Sequence, residues 1–463
     1  SKEINAVDKI IMIGPKNSFY SWKDEFINNF GEKKELKVLD IQDEKLKNAK
    51  QRNYEIRNSS GNKNLILINY ESLPAMEKSL LDILNNRTML VFDEEHKIKS
   101  INGIRANIAL ELAKKVKYKV VLTGTPIPNG YQDIYDCLKI LYPDEYDYMF
   151  NFKIKELQKP SDFEMKDINE RIYPFYCRIT KKDLMIPKAN EDIIIKSQMD
   201  ENEKIIFKYI YQKYNTNILA LYIRLMQAST NPRLLLNKLN KNDLINIFWD
   251  DEHNGEINEF DFNNDKYKNL IFDGISDVNI SDIIHKSVET TKFQEGISLV
   301  QKLFQNGKQI LVWGIFIDTL NLIKEKLDRM NIKCKIIDGR VAYNERHEII
   351  EEFKNKKFHV LIANPNTLAE SVSLHTVCHD AIYFEYSFNL THMLQSKDRI
   401  NRLGLQTYTQ YYYLMLENDE YRYNAIDEKI YYRLKYKEKI MKEAIESTTL
   451  KRVDFDDEDE EDI

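Results

Sequence analysis

The residues in this chain whose types and spacing point most directly to chemistry are the acids of Val91-Phe92-Asp93-Glu94-Glu95-His96. They follow an apolar run, Met89-Leu90-Val91-Phe92, with the length of a buried parallel strand. Open α/β sheets place their chemistry at such strand ends. An Asp and a Glu there suit a nucleoside triphosphatase: one carboxylate holds a magnesium–water shell, the other orients or deprotonates the attacking water. A second apolar strand, Lys119-Val120-Val121-Leu122, closes on the small hydroxyl residues of Leu122-Thr123-Gly124-Thr125-Pro126. An isolated acidic turn is more often a solvated strand end than a site, so the rest of the chain has to decide.

The elements that would position these residues are legible as alternating strands and helices. Lys9 to Gly14 is an apolar strand broken by Gly14-Pro15, and an amphipathic helix opens around Ser18, Trp22, Glu25 and Phe26. Leu36 to Ile41 and Asn64 to Tyr70 read as further strands. This alternation predicts a parallel α/β sheet. Ile172 to Asn190 is a basic stretch closed by Pro187, with the character of a crossover between domains, and Glu203 to Met226 is helical. Residues 237–290, rich in Asn and Asp, read as a variable insert or linker. Alternation resumes at Thr291, with strands at Gln309–Trp313, Lys333–Ile337, His359–Ala363 and finally Asp380–Phe384. That makes a second α/β sheet, and two such sheets suggest a cleft between lobes.

Composition narrows the class. With 463 residues, 43% hydrophobic and 11% aromatic, the chain is folded and long enough for two or three domains. Its longest apolar run, Gln309 to Ile317, is too short to span a membrane, and no signal peptide is visible. Cys137, Cys177, Cys334 and Cys378 lack CxxC spacing, which fits a reducing cytoplasm. The Asn-, Ile- and Lys-rich text points to an AT-rich genome, as in a bacterium, phage or large virus. The last ten residues carry eight acids, and taking these from the net charge of −6 leaves +2 for the body, which does not oppose a polyanion. His375, Cys378 and His379 form the one cluster with metal-like side chains, and ordinary packing is the expectation for it.

In order along the chain, the motifs resemble the motor of the Swi/Snf-type double-stranded DNA translocases of helicase superfamily 2. Ile11 to Lys16 with Trp22 and Glu25 resembles motif Ia, and Ile66 to Tyr70 resembles motif Ib. Val91 to His96 resembles the DExH box of motif II, and Leu122 to Asn129 resembles motif III. Cys177 to Asp183 with Pro187-Lys188 is similar to the link between lobes, and Gln227, Asn231 and Pro232 fit the Gln-to-Asn-Pro stretch. Gln309 to Trp313 with Asp338-Gly339 resembles motif IV and its follow-on. Leu361 to Leu374 occupies motif V, Gln395 to Gly404 motif VI, and Tyr421 to Lys437 resembles a bracing helix. The resemblance covers residues 10–435. Two departures are Ala369-Glu370-Ser371 in a motif V usually rich in glycine, and Asn401 where motif VI usually has His. The family's GxGKT-like phosphate loop is absent from the 463 residues, and with Ser at position 1 residues are expected to be missing upstream.

The resemblance implies two RecA-like parallel-sheet lobes with a helical region between them. The first lobe would take residues 1–180, a helical protrusion and insert 181–290, the second lobe 291–420, a bracing helix 421–453 and an acidic disordered tail 454–463. ATP and Mg2+ are the implied cofactors. Asp93 would contact magnesium through water, Glu94 would orient the hydrolytic water, and His96 would couple the box to motif III. Arg399 and Arg402, three apart on one face of a helix, would be the arginine fingers. Thr123, Gly124, Thr125, Glu370 and Gln395 would attend the nucleotide. Duplex DNA would be gripped through its backbone, without sequence reading, by Lys16, Ser18, Tyr70, Ser72, Arg178, Lys181, Lys182, Asn364 and Ser371. Further subunits of a defence, restriction, repair or transcription complex are conceivable partners, and a membrane is not expected. The competing expectation is a motor-like scaffold that binds DNA or a partner without hydrolysing ATP.

Overall fold

The computed structural model describes residues 6–30, 35–98, 103–123, 134–158, 160–172, 183–238, 274–287, 289–368, 372–419 and 425–446. Contacts divide them into two units, one taking 6–172 together with 439–446 and the other 183–438.

The first unit is built on five parallel strands: β1 (Lys9–Gly14), β2 (Val38–Asp40), β3 (Leu65–Asn69), β4 (Thr88–Asp93) and β5 (Tyr118–Leu122). Their order is β2-β3-β1-β4-β5. The central strands are runs of Ile, Leu, Val and Phe because helices cover both faces, leaving no polar side to alternate with. Ile11, Ile13, Ile66, Ile68, Leu90 and Phe92 are all fully buried. Helices Phe19–Phe30, Ala49–Ser59, Leu73–Ile83 and Ile104–Ala113 connect the strands. The second of these is capped by Asn48, whose side chain accepts from the Gln51 amide. A satellite core in residues 134–172 gathers Ile134, Leu138, Tyr146, Phe150, Phe152 and Leu157.

In the second unit six parallel strands run in the order β6-β11-β10-β7-β9-β8. They are β6 (Ile193–Gln198), β7 (Ile310–Trp313), β8 (Cys334–Ile337), β9 (Val360–Ala363), β10 (Asp380–Tyr383) and β11 (Gln410–Glu417). Two of these revise the sequence reading. Asp380–Tyr383 is not the last strand, since β11 pairs with it in parallel register. And 181–290 is not wholly a region between lobes, because β6 pairs along β11 at the sheet edge. Helices Glu201–Tyr214 and Ile218–Thr230 join the same core. Both strands were hard to see, β6 because only three isoleucines mark it and β11 because it is a tyrosine run. Those tyrosines pack: Tyr383 and Tyr413 stack with centroids 4.6 Å apart, and Tyr431 meets Tyr413 edge-on at 4.8 Å.

Buried charges tie these helices to one another and to the sheet. Asp200 and Glu203 form a capping box, and Glu203 also accepts from the Thr291 amide at 2.7 Å. Lys292, fully buried, donates to Asp427 at 2.9 Å, and Asp427 accepts from the Leu416 amide at 3.1 Å. The last helix, Asp427–Glu446, is thereby tied to β11. No helix among the described residues is long and apolar enough to cross a membrane.

Candidate active site

In the first unit the acidic residues stand at the carboxyl end of β4, one register step beyond the Ile13–Phe92 pair with β1. β1 ends there in Gly14, and the absence of a side chain is what allows the approach. A Cβ at Gly14 would lie 2.9 Å from the Cβ of Asp93 and 2.9 Å from the sulfur of Met12. The loop after β1 then turns into the helix Phe19–Phe30, which brings Trp22 over the acid. Trp22 Nε1 donates to Asp93 Oδ2 at 2.9 Å, and the Tyr70 hydroxyl donates to the Asp93 carbonyl at 2.8 Å.

Burial raises the Asp93 carboxyl above its usual range; the neighbouring Glu94 adds to this, while hydrogen bonds from Trp22 and Ser18 oppose it. Tyr70 is pushed far above the ordinary phenol range by burial and then by the acids around it, Glu95 foremost. Glu94 adopts a φ of 52°, left-handed backbone that a non-glycine residue holds at a cost of order 1 kcal/mol or more. Glu95 is turned inward and buried.

Asp93 and Glu94 offer hard oxygen donors in a place where a divalent cation would offset both the desolvation and the mutual repulsion. Among the described residues no group of three or more potential ligands is preassembled for a metal. Thr123 sits half-buried just past β5, which is β4's neighbour. His96 lies in the turn Glu95–Ile98, its side chain outside the described residues, as are Gly124 and Thr125.

Within the second unit, the helix over residues 390–397 carries Gln395 and ends at Lys397, with Asp398 as its cap. Arg399 and Arg402 therefore lie in the turn beyond the helix, not on one helical face as their spacing suggests. Beyond the helix the Arg399 carbonyl accepts from the Leu374 amide at 2.8 Å, and Gly404 has a φ of 91°. Arg399 is buried, donating through Nε to the Gln395 carbonyl at 2.8 Å and through Nη1 to the Val372 carbonyl at 3.2 Å. Arg402 is exposed and donates to Ser373 Oγ at 2.8 Å. Both guanidinium groups thus meet the segment after β9 that the sequence reading took as motif V. Asn401, where His was the expected type, donates to the Pro187 carbonyl at 3.2 Å and to Thr409 Oγ1 at 3.3 Å.

The residues expected on DNA divide sharply. Lys16 is exposed. Ser18, Ser72 and Asn364 are buried and engaged within the fold: Ser18 donates to the Pro15 carbonyl, Ser72 to Asn69 Oδ1 and Asn364 to the Ile315 carbonyl, at 2.8, 2.6 and 2.8 Å. Tyr70 serves Asp93. After β1 and β3 the chain coils into the short 3-10 turns Lys16–Ser18 and Tyr70–Ser72, whose serine hydroxyls bond within the fold. Arg178, Lys181, Lys182, Glu370 and Ser371 lie outside the described residues. Cys378 donates to the carbonyls of Gln309 and Asp380, and burial pushes its thiol up to about 12. It packs as a thiol.

A model of the SNF2-related domain matches residues 1–245, and one of the helicase conserved C-terminal domain matches residues 292–404. An uncharacterized ATP-dependent helicase of Mycoplasma pneumoniae is 24% identical over 88% of this chain and 35% of its own length. ISW1, the ISWI chromatin-remodeling complex ATPase of Saccharomyces cerevisiae, is 22% identical over 84% of this chain and 32% of its own length. The chain thus spans about a third of these relatives. A solved Sulfolobus solfataricus SWI2/SNF2 ATPase core in complex with dsDNA aligns with 96% of this chain and 84% of its own, at 20% identity and a TM-score of 0.35.

Proposed function

The chain belongs to the SNF2-related family, and on that footing we propose that it is the motor of an ATP-dependent double-stranded DNA translocase. The observation that supports this most is the acidic end of β4: a buried Asp93 steadied by Trp22, followed by a Glu94 on left-handed backbone. Bound magnesium would supply charge neutralisation of the triphosphate and its leaving group. Asp93 would hold the ion's water shell, and Glu94 would orient the attacking water and accept its proton. Hydrogen bonds from Trp22 and Ser18 favour the ionised form of Asp93 and oppose the upward pull of its burial. Arg402, exposed at the end of its turn, meets the γ-phosphate, and Arg399 holds the turn in shape. Thr123 and Gln395 attend the nucleotide, and Gly124, Thr125, Glu370 and His96 complete that set. Lys16, Arg178, Lys181, Lys182 and Ser371 contact the DNA backbone, positioning without reading sequence.

Displacement of a triplex-forming strand from duplex DNA tests the reading in the full-length protein. ATP-dependent displacement is expected, abolished by a non-hydrolysable analogue. Displacement that needs no nucleotide, or none with ATP and magnesium, would rule translocation out.

A further inference from the structure

Two residues before Arg399, Lys397 ends its helix in a cluster of charges drawn from three separate elements. Its ammonium donates to the two oxygens of Asp192 at 3.3 and 3.2 Å. It also lies 5.0 and 5.4 Å from the ring centroids of Tyr411 and Tyr413. Asp192, just ahead of β6 and 7% exposed at its side chain, accepts in addition from Lys435 Nζ and the Tyr431 hydroxyl, each at 3.1 Å. Lys435 and Tyr431 belong to the last helix, where Lys435 is also paired with Glu438 at 3.3 Å. One buried carboxylate therefore joins the segment entering β6, the arginine-bearing segment and the C-terminal helix.

Packing alone does not call for these charges, since apolar side chains of similar volume commonly stabilise as well or better. Charges do specify one geometry, because a displaced partner is left buried and unpaired. The Lys397 carbonyl also holds the turn that follows, accepting from the Ile400 amide at 3.3 Å and the Asn401 amide at 3.1 Å. Resting on the reading above, we propose that Asp192, Lys397 and Lys435 are positioning residues that set where Arg402 is presented. Through them the C-terminal helix and the segment entering β6 act on the arginine turn without touching nucleotide.

A double-mutant cycle on the full-length protein tests this. Asp192→Asn is expected to lower kcat about tenfold, with KM for ATP within about twofold, a loss confined to the transition state. In an Arg402→Ala background the same change should cost less than about twofold, because residues acting through one group do not add. An equal loss in both backgrounds, or no loss in either, overturns the proposal. If Asp192→Asn does not fold, Lys435→Met keeps the Asp192–Lys397 pair and should show a smaller loss with the same non-additivity, and additive behaviour again overturns it. If the wild type hydrolyses no ATP, the motor reading fails rather than this one. Amide exchange over residues 390–402 then decides: faster exchange in Lys435→Met supports the positioning role, and unchanged protection contradicts it.

Discussion

Asp93 shows how a single side chain is tuned by what surrounds it. Burial lifts its carboxyl, and the indole N–H of Trp22 pulls it back. Trp22→Phe keeps the ring and removes the donor, so the Asp93 carboxyl should rise further. The acid limb of the ATPase pH profile is expected to move to higher pH, with turnover near neutrality reduced about 3- to 10-fold for one lost charge-assisted hydrogen bond. An unmoved acid limb in a pH–rate series would count against the assignment. Asp136 makes a matching case in stability. It is buried in the satellite core, its Oδ2 has no hydrogen-bond partner among the described residues, and burial lifts it to about 7 against the pull of Lys139. Its folded value exceeds its unfolded one, so ionisation is resisted only in the fold. Its contribution therefore worsens as pH rises from about 4 to about 7 and is flat above. Thermal melts of Asp136→Asn should lose that slope and exceed wild type at pH 8.

At the scale of elements, β1 and β4 must lie side by side for Trp22 to reach Asp93, and Gly14 sets how closely. Gly14→Ala drives a methyl into Asp93 Cβ and the Met12 sulfur. It should cost about 1–3 kcal/mol, read as a lower melting temperature, and displace Asp93 enough to remove most turnover. The apolar strands of both sheets were legible because a strand buried on both faces is a continuous run of Ile, Leu and Val. β11 escaped because it opens as a run of tyrosines, of which Tyr411 donates its hydroxyl to the Lys397 carbonyl. The positions of Asp93, Glu94, Arg399 and Arg402 were visible from motif order. Their engagement was not: that Arg399 is held by backbone carbonyls, or that Ser18, Ser72 and Asn364 turn inward, depends on hydrogen bonds across long sequence separations. The Asp192–Lys397 pair spans 205 residues and has no local signature at all.

At the scale of the whole molecule, the proposed motor grips DNA by its phosphates. Affinity for duplex should be nearly independent of sequence and fall steeply with salt, by about 0.9 in log K per log unit of salt for each phosphate neutralised. The central claim is that hydrolysis at Asp93 and Glu94 is coupled to duplex DNA, and steady-state ATP turnover by the full-length protein with and without duplex tests it most directly. Turnover that rises on adding duplex and vanishes in Glu94→Gln, with nucleotide binding retained, is the predicted result. Equal rates with and without DNA, or undiminished turnover in Glu94→Gln, would contradict it.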